Sequence, residues 1–498
     1  MIASGSRAAS ASPVRRIRDL PGPPGLPLLG SALQIRKDQL HLQAERWNRR
    51  YGSIYRLRIA LQEFVVLSDP ELVAGVLRDR PDGFNRPARL DQVARQSGLG
   101  GLFSSNGDTW RRQRPMVLHG LDPSHVKDFF PTLVKVTERF ARRWQRAAAA
   151  GEAIDLQQDL MRYTVDVTAG LALGADINTI ESGHNSIQSH LDKVLPGLYR
   201  RLMAPFPYWD FVKLPSDLRI ERHLKQLKVS MDVFIRAARR RLDECPRLRE
   251  EPSNLIEAMI AARDRDDSFL TDEDVSGNVL TMLLAGEDTT ANTLAWTIWF
   301  LHHNRDALRR ASSQVRAVVG TDAQLTRHPQ LSELDFVEAC ANESMRLKPV
   351  APLIIVQAAR DTVVGGVALP RGTLVMCLTR VPAVDPRRFP DPHAFRPERW
   401  LSAEGAMQAP SSPKRVTMPF GAGPRICPGR YLALAEMKML LAMLLGGFEI
   451  QEVSTPDGGE AQEIMAFTMS PVGLKLRLRA LVNAGPVPPA RVSILREH

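Results

Sequence analysis

The chain has 498 residues, 44% hydrophobic and 24% charged, with a net charge of +11 and a sequence pI near 9.8. That composition excludes disordered and collagen-like chains and provides for a large core, which length alone would divide into roughly three domains of about 150 residues. The basic surplus suits acidic partners; nucleic acid is not expected among them, because there is no recognition helix, zinc finger or RNA-binding aromatic signature.

The opening stretch MIASGSRAASASPVRRIRDL has no apolar core and is neither a signal peptide nor a membrane anchor. Residues 1–19 are expected as a disordered basic leader on a soluble cytoplasmic protein, although their Arg- and Ser-rich composition also describes an organellar transit peptide. LPGPPGLPLLG (Leu20 to Gly30) is a stiff extended entry. Helical spacing follows from Leu40 to Tyr51, and RLRIAL with EFVVLS (Arg56 to Ser68) reads as a hairpin. Helical patterns then dominate from Ser124 to Leu347.

The longest apolar helix starts near Thr271, with Thr271 and Asp274 as a capping box, and runs past Phe300. Asn278, Glu287 and Asp288 interrupt it, so it is a buried core helix and not a membrane span. From Pro352 to Leu378, LIIV and TLVMCL flank a Gly365-Gly366 turn, as in a small sheet. Asp385 to Trp400 is Pro-rich and irregular, and residues 481–498 read as a tail. The four cysteines, Cys245, Cys340, Cys377 and Cys427, show no paired or metal-type spacing, which points to a reducing compartment.

The chemistry concentrates in PFGAGPRICPGRYLALAEMKMLLAMLL (Pro419 to Leu445). Glycines shape a tight loop, Cys427 follows, Pro428 suits a first helical position and an amphipathic helix begins near Arg430. The spacing puts Cys427 at a helix N-terminus, where free N–H groups favour a thiolate that binds a soft metal or attacks a substrate. A buried structural cysteine is the alternative, at even odds on helix position alone.

The spacing from Phe420 through Gly423 to Cys427 and Gly429 resembles the haem-binding signature of the cytochrome P450 family. The resemblance implies that Cys427 is the axial ligand of the haem iron, that Phe420 packs beside its sulfur and that Arg425 meets a haem propionate. A thiolate ligand favours O–O cleavage. In AGEDTT (Ala285 to Thr290), Asp288 and Thr289 match the residues that help deliver protons over the haem, with Ala285 and Gly286 leaving room for O2 and substrate. On spacing alone a threonine there usually bonds to the carbonyl one turn earlier.

Glu343 and Arg346 in NESMRLKP would by themselves be a surface pair of little energy. They resemble the family's ExxR motif, and with Arg399 of PERW they imply a buried structural triad. WRRQR resembles the WxxxR helix, in which Trp110 and Arg114 would bond propionates. Arg111 and Arg112, with Lys414 and Arg430, would form a positive patch for an acidic redox partner. One departure is Val356, which stands where many relatives carry a further propionate arginine.

The resemblance covers nearly the whole chain. It implies one mostly α domain over residues 20–480, with a small β region and the long central helix over the haem, in place of several domains. The implied cofactor is haem b (iron protoporphyrin IX), with O2 as co-substrate. Two electrons would come ultimately from NAD(P)H through an acidic ferredoxin or a flavodoxin-type reductase. The protein is expected as a bacterial, monomeric member akin to the fatty-acid hydroxylase branch, hydroxylating or epoxidising a fatty acid, terpenoid, steroid or polyketide. Met282, Ala285, Leu353, Ile354, Phe467 and Met469 would line the substrate pocket. The rival readings are a peroxide-driven haem enzyme, a non-catalytic haem protein and a cysteine hydrolase; the first two are disfavoured by the presence of both Asp288 and Thr289.

Overall fold

The computed structural model describes residues 14–182, 186–265, 270–320, 324–401 and 412–481. Its longest buried element is the central helix Asp272–His303. The expected capping box starts it: Thr271 Oγ1 accepts from the Asp274 N–H at 3.1 Å, and the Asp274 carboxylate accepts from the Thr271 N–H at 2.9 Å. The helix packs along Leu156–Leu173. A Cβ at Gly286 would lie 2.4 Å from Thr168 Oγ1, so only glycine allows the two helices to approach this closely.

The second core element is the helix Arg430–Gly447. Its sequence suggests an amphipathic helix, but nearly every residue from Leu432 to Leu445 is buried. The cause is its setting: Phe130–Ala150, Arg305–Val319, Asp335–Leu347 and the central helix all pack on it. One large hydrophobic cluster runs from Val93 to Leu478, and two smaller ones include residues of the main sheet.

The main sheet has the strand order Ile54–Ile59, Gln62–Leu67, Leu374–Leu378, Leu353–Ala358 and Phe84–Asn85. The expected hairpin is its first pair. LIIV and TLVMCL do pair, antiparallel, but Gly365-Gly366 does not join them directly. It closes a separate hairpin, Thr362–Val364 with Val367–Leu369, inserted between the two. Val14 to Asp19 fold onto this insertion, with the Arg15 N–H donating to the Gly366 carbonyl at 2.9 Å and a 3-10 turn at Ile17–Asp19. The last residues of the leader are therefore structured, contrary to expectation, while residues 1–13 and 482–498 lie outside the described part. No helix among the described residues is long and apolar enough to cross a membrane.

Candidate active site

The cysteine loop is fixed by its own backbone. Gly421 and Gly423 have φ of 77° and 71°, and a Cβ at Gly423 would lie 2.7 Å from the Leu77 carbonyl oxygen. The Cys427 N–H donates back to the Phe420 carbonyl at 2.9 Å, which closes the loop. The following helix is capped at Gly429, so Cys427 stands two residues before the cap and Pro428 is outside the first turn. The expected first-turn placement is thus shifted by the loop. Burial pushes the Cys427 thiol up, opposed by the Gly429 N–H and by Arg114 and Arg430. The free thiol is therefore neutral by environment, and a bound metal cation would reverse that.

Arginines surround the loop. Arg425 donates to the Ser105 carbonyl at 2.7 Å and lies 4.6 Å from the centre of the Trp110 ring. Arg114 donates to the Ile426 carbonyl at 2.5 Å, and the Nε atoms of Arg114 and Arg425 are both buried without a partner. Two further arginines join them that the sequence did not mark. Arg80 donates to the carbonyls of Leu77 and Ala422 at 3.1 and 3.2 Å, and Arg86 donates to the Phe103 carbonyl at 2.9 Å.

Desolvation and mutual repulsion hold Arg86 and Arg425 down to about 9 and Arg80 to about 10, and burial also lowers Arg114. No carboxylate among the described residues relieves any of the four. Buried like charges of this kind call for an anion. Val356, fully buried in its strand, contributes nothing to this charge. Arg80 and Arg86 had no local signal, since isolated arginines in a loop read as surface residues.

On the central helix the expected acid and hydroxyl are both engaged. Thr289 donates to the Ala285 carbonyl at 2.8 Å, which leaves its oxygen free to accept. Asp288 accepts from Asn292 at 3.0 Å and from the hydroxyl of Thr468. The Thr290 hydroxyl donates to the Glu436 carboxylate, so the helix after Cys427 lies directly against the AGEDTT turn. Met282, Gly286 and Thr289 are partly buried and Ala285 is exposed, in a stretch of the central helix whose neighbours Leu283, Leu284, Glu287 and Thr290 are buried.

Leu353, Ile354 and Phe467 are also only partly buried, and Phe467 meets Phe103 at 5.9 Å between ring centres. Met469 does not belong with them. It is 0% exposed and packed in the main core, because the strand Met469–Pro471 turns its side chain inward. Residue Thr468 was missed for the same reason: its neighbours in FTMSP look like pocket wall, and a lone threonine gives no signal.

The expected triad assembles completely. Glu343 and Arg346 are both fully buried and joined by two bonds of 2.8 Å, and Arg399 Nε donates to Glu343 at 3.2 Å. Trp400 Nε1, at 3.0 Å, is an additional partner. Arg346 also donates to the carbonyls of Ala383, Pro392 and Ala394, and so pins the irregular segment. The expected basic patch is thinner than the sequence suggests. Arg111 is paired with Asp82 at 2.5 Å and Asp108 at 2.8 Å, while Lys414 is exposed and Arg430 is turned toward Tyr431.

A mostly helical body that holds a half-buried cysteine loop beside arginines without acid partners among the described residues is the arrangement a haem-thiolate protein would need. The family description "Cytochrome P450" matches residues 20–478. A self-sufficient cytochrome P450 monooxygenase of Phanerodontia chrysosporium is 28% identical over 86% of this chain and 40% of its own length. The mouse mitochondrial 25-hydroxyvitamin D-1 alpha hydroxylase is 27% identical over 90% of this chain and 89% of its own. Pluviatolide synthase of Sinopodophyllum hexandrum is 25% identical over 92% of this chain and 91% of its own. The chain belongs to the cytochrome P450 family and is an oxidoreductase of its monooxygenase class.

Proposed function

We propose that this protein is a haem b monooxygenase that hydroxylates or epoxidises a hydrophobic small molecule such as a fatty acid, terpenoid, steroid or polyketide. Two electrons would reach it from NAD(P)H through a separate acidic ferredoxin or flavodoxin-type partner. The observation that carries the reading is the pairing of a loop-held Cys427 with three buried arginines, Arg80, Arg114 and Arg425, and a partly buried fourth, Arg86, none with an acid of its own among the described residues. A haem fits both demands, since it brings a cation for the thiol and two carboxylates for Arg425, Arg114, Arg86 and Arg80.

When bound, haem supplies the binding and reductive activation of O2 through its thiolate-ligated iron. The chain's own groups do the rest. Phe420 and the loop glycines keep water from the sulfur. Asp288 takes up protons at its carboxylate, and the Thr289 oxygen, already committed as a donor to Ala285, would accept a hydrogen bond from a water on the path inward. Met282, Ala285, Leu353, Ile354 and Phe467 offer an apolar wall that orients substrate by shape. The positive net charge and exposed Lys414 support an acidic electron donor. Residues 20–480 are read as one catalytic domain, supported by the large cluster from Val93 to Leu478 and by the family match over residues 20–478. A reducing, cytoplasmic setting is supported by four free thiols.

The test is the carbon monoxide difference spectrum of the dithionite-reduced protein beside a Cys427→Ser variant. A strongly red-shifted Soret band that the variant lacks is the expected result. Absence of haem, or an unchanged band in the variant, would overturn the reading.

A further inference from the structure

Asp288 is held by more than its own helix. Asn292, fully buried, donates to Oδ1, and the orientation of its amide is set by Gln157 Nε2, which donates to the Asn292 oxygen at 3.3 Å. The second oxygen, Oδ2, accepts the Thr468 hydroxyl, 180 residues away in sequence. Thr468 lies in the turn between the strands Glu463–Met465 and Met469–Pro471. The turn is tight, with the Ala466 N–H donating to the Thr468 carbonyl at 3.1 Å, and the Met469 N–H is tied to the Val350 carbonyl at 2.8 Å.

The base of this hairpin is clamped as firmly. Glu463 is buried and accepts from Lys348, from Arg380 Nη1 at 2.9 Å and from His41 Nε2 at 3.0 Å. Arg380 in turn makes a two-pronged bond to Glu45 at 2.9 Å on each prong. The buried ionic cluster holds the base of the hairpin, so a displacement of Phe467 would be taken up at the tip. That tip carries Phe467, partly buried against Phe103, and next to it Thr468, which donates to Asp288.

We propose that Thr468 is a positioning residue that acts as a latch on Asp288, and that pressure of a bound molecule on Phe467 releases it. The inference rests on the haem reading above. A hydroxyl donating to Oδ2 stabilises the ionised carboxylate and occupies the atom that must receive the next proton. With the latch closed, Asp288 is an acceptor only. When the tip shifts, Oδ2 takes a proton from solvent, passes one proton inward and returns to the ionised form. Proton supply is then conditional on substrate, which limits wasteful reduction of O2 in the empty enzyme.

The experiment needs neither substrate nor redox partner. Haem-loaded protein with a normal carbon monoxide spectrum is reduced with dithionite and freed of excess reductant. It is then mixed with aerated buffer, where O2 takes one electron and leaves as superoxide that picks up a proton. The return to the oxidised spectrum is timed in H2O and D2O. Thr468→Val, which keeps shape and removes the donor, should speed this return by at least about tenfold, a fraction of the range open to acid–base groups. Thr468→Ser should restore the wild-type rate. The acceleration should vanish in Thr468→Val combined with Asp288→Asn, which separates a latch on Asp288 from a general loosening of the pocket.

An unchanged rate in Thr468→Val, or an acceleration that survives Asp288→Asn, overturns the latch. Loss of haem uptake by the isosteric valine variant also overturns it, because the role would then be structural. Absence of haem from the wild-type protein refutes the functional reading instead.

Discussion

Replacing Arg346 by methionine tests whether the Glu343, Arg346 and Arg399 cluster is a structural keystone. The guanidinium is fully buried and makes two bonds of 2.8 Å to Glu343. It makes three more to the carbonyls of Ala383, Pro392 and Ala394 at 2.6, 2.7 and 3.2 Å. Breaking a buried pair by removing one partner costs about 3–5 kcal/mol. The three orphaned carbonyls would each add about 1–3 kcal/mol if nothing replaced the donor, and relaxation toward water reduces that share. Glu343 itself is not stripped bare, because Arg399, the Trp400 indole and the Arg396 N–H still donate to it. The net loss should be about 4–6 kcal/mol, a large part of the ~5–15 kcal/mol that holds a typical native state. Urea midpoints of the haem-loaded protein measure it, with hydrogen exchange showing whether residues 383–400 open first. A loss under about 1 kcal/mol, the value of an exposed pair, would refute the reasoning.

Three other outcomes follow from the same geometry. Glu436, buried beside Thr290, has its carboxyl pushed up to about 8 by desolvation, so it folds protonated while the unfolded chain ionises above about 4.3. Wild-type stability should therefore fall relative to Glu436→Gln as pH rises from about 4.5 to 8, by up to ~1.4 kcal/mol per unit, and parallel urea curves would contradict this. Glu463 is the opposite case, its carboxyl held well below the usual range by His41, Arg380 and Lys348 despite burial. Glu463→Gln should cost about 3–5 kcal/mol at pH 7, with the difference shrinking as pH falls below about 4, which acid-titrated unfolding would show. Arg425→Met should release haem to an excess of a haem-free acceptor protein about tenfold faster than wild type, since one charge-assisted contact of ~1.5–3 kcal/mol is lost.

Legibility in the sequence followed the locality of each feature. The capping box of Thr271, the hairpin after Arg56 and the helix Leu40–Tyr51 were readable because periodicity and caps are local. The triad was readable only through the motif resemblance, since an acid and a base three residues apart look the same on a surface as in a core. Failures came where tertiary context decides. The helix after Cys427 is surrounded and not amphipathic, Met469 points inward by strand alternation, and Arg111 loses its free charge to Asp82, which is near only in three dimensions. Arg80, Arg86 and Thr468 matter through partners far along the chain, and no local pattern can announce such residues.

The site keeps its charges of opposite sign on different walls, and only the wall around the cysteine loop is left without partners of opposite charge among the described residues. Around the cysteine loop four arginines lie with their charge disfavoured and the thiol is pushed toward neutrality, so both would relax if a cation and two carboxylates entered together. On the central helix the acid is already satisfied, by Asn292 and by the hydroxyl of Thr468, so it gains nothing from the cofactor and is free to answer to the pocket. The first arrangement gives binding energy to the cofactor, since relief of repulsion is realised only on occupancy. The second gives control, since a satisfied carboxylate moves protons only after a bond to it is broken. Tight cofactor retention and a proton supply that waits for substrate thus come from separate charge environments, and substitutions in one should leave the other's measurement unchanged.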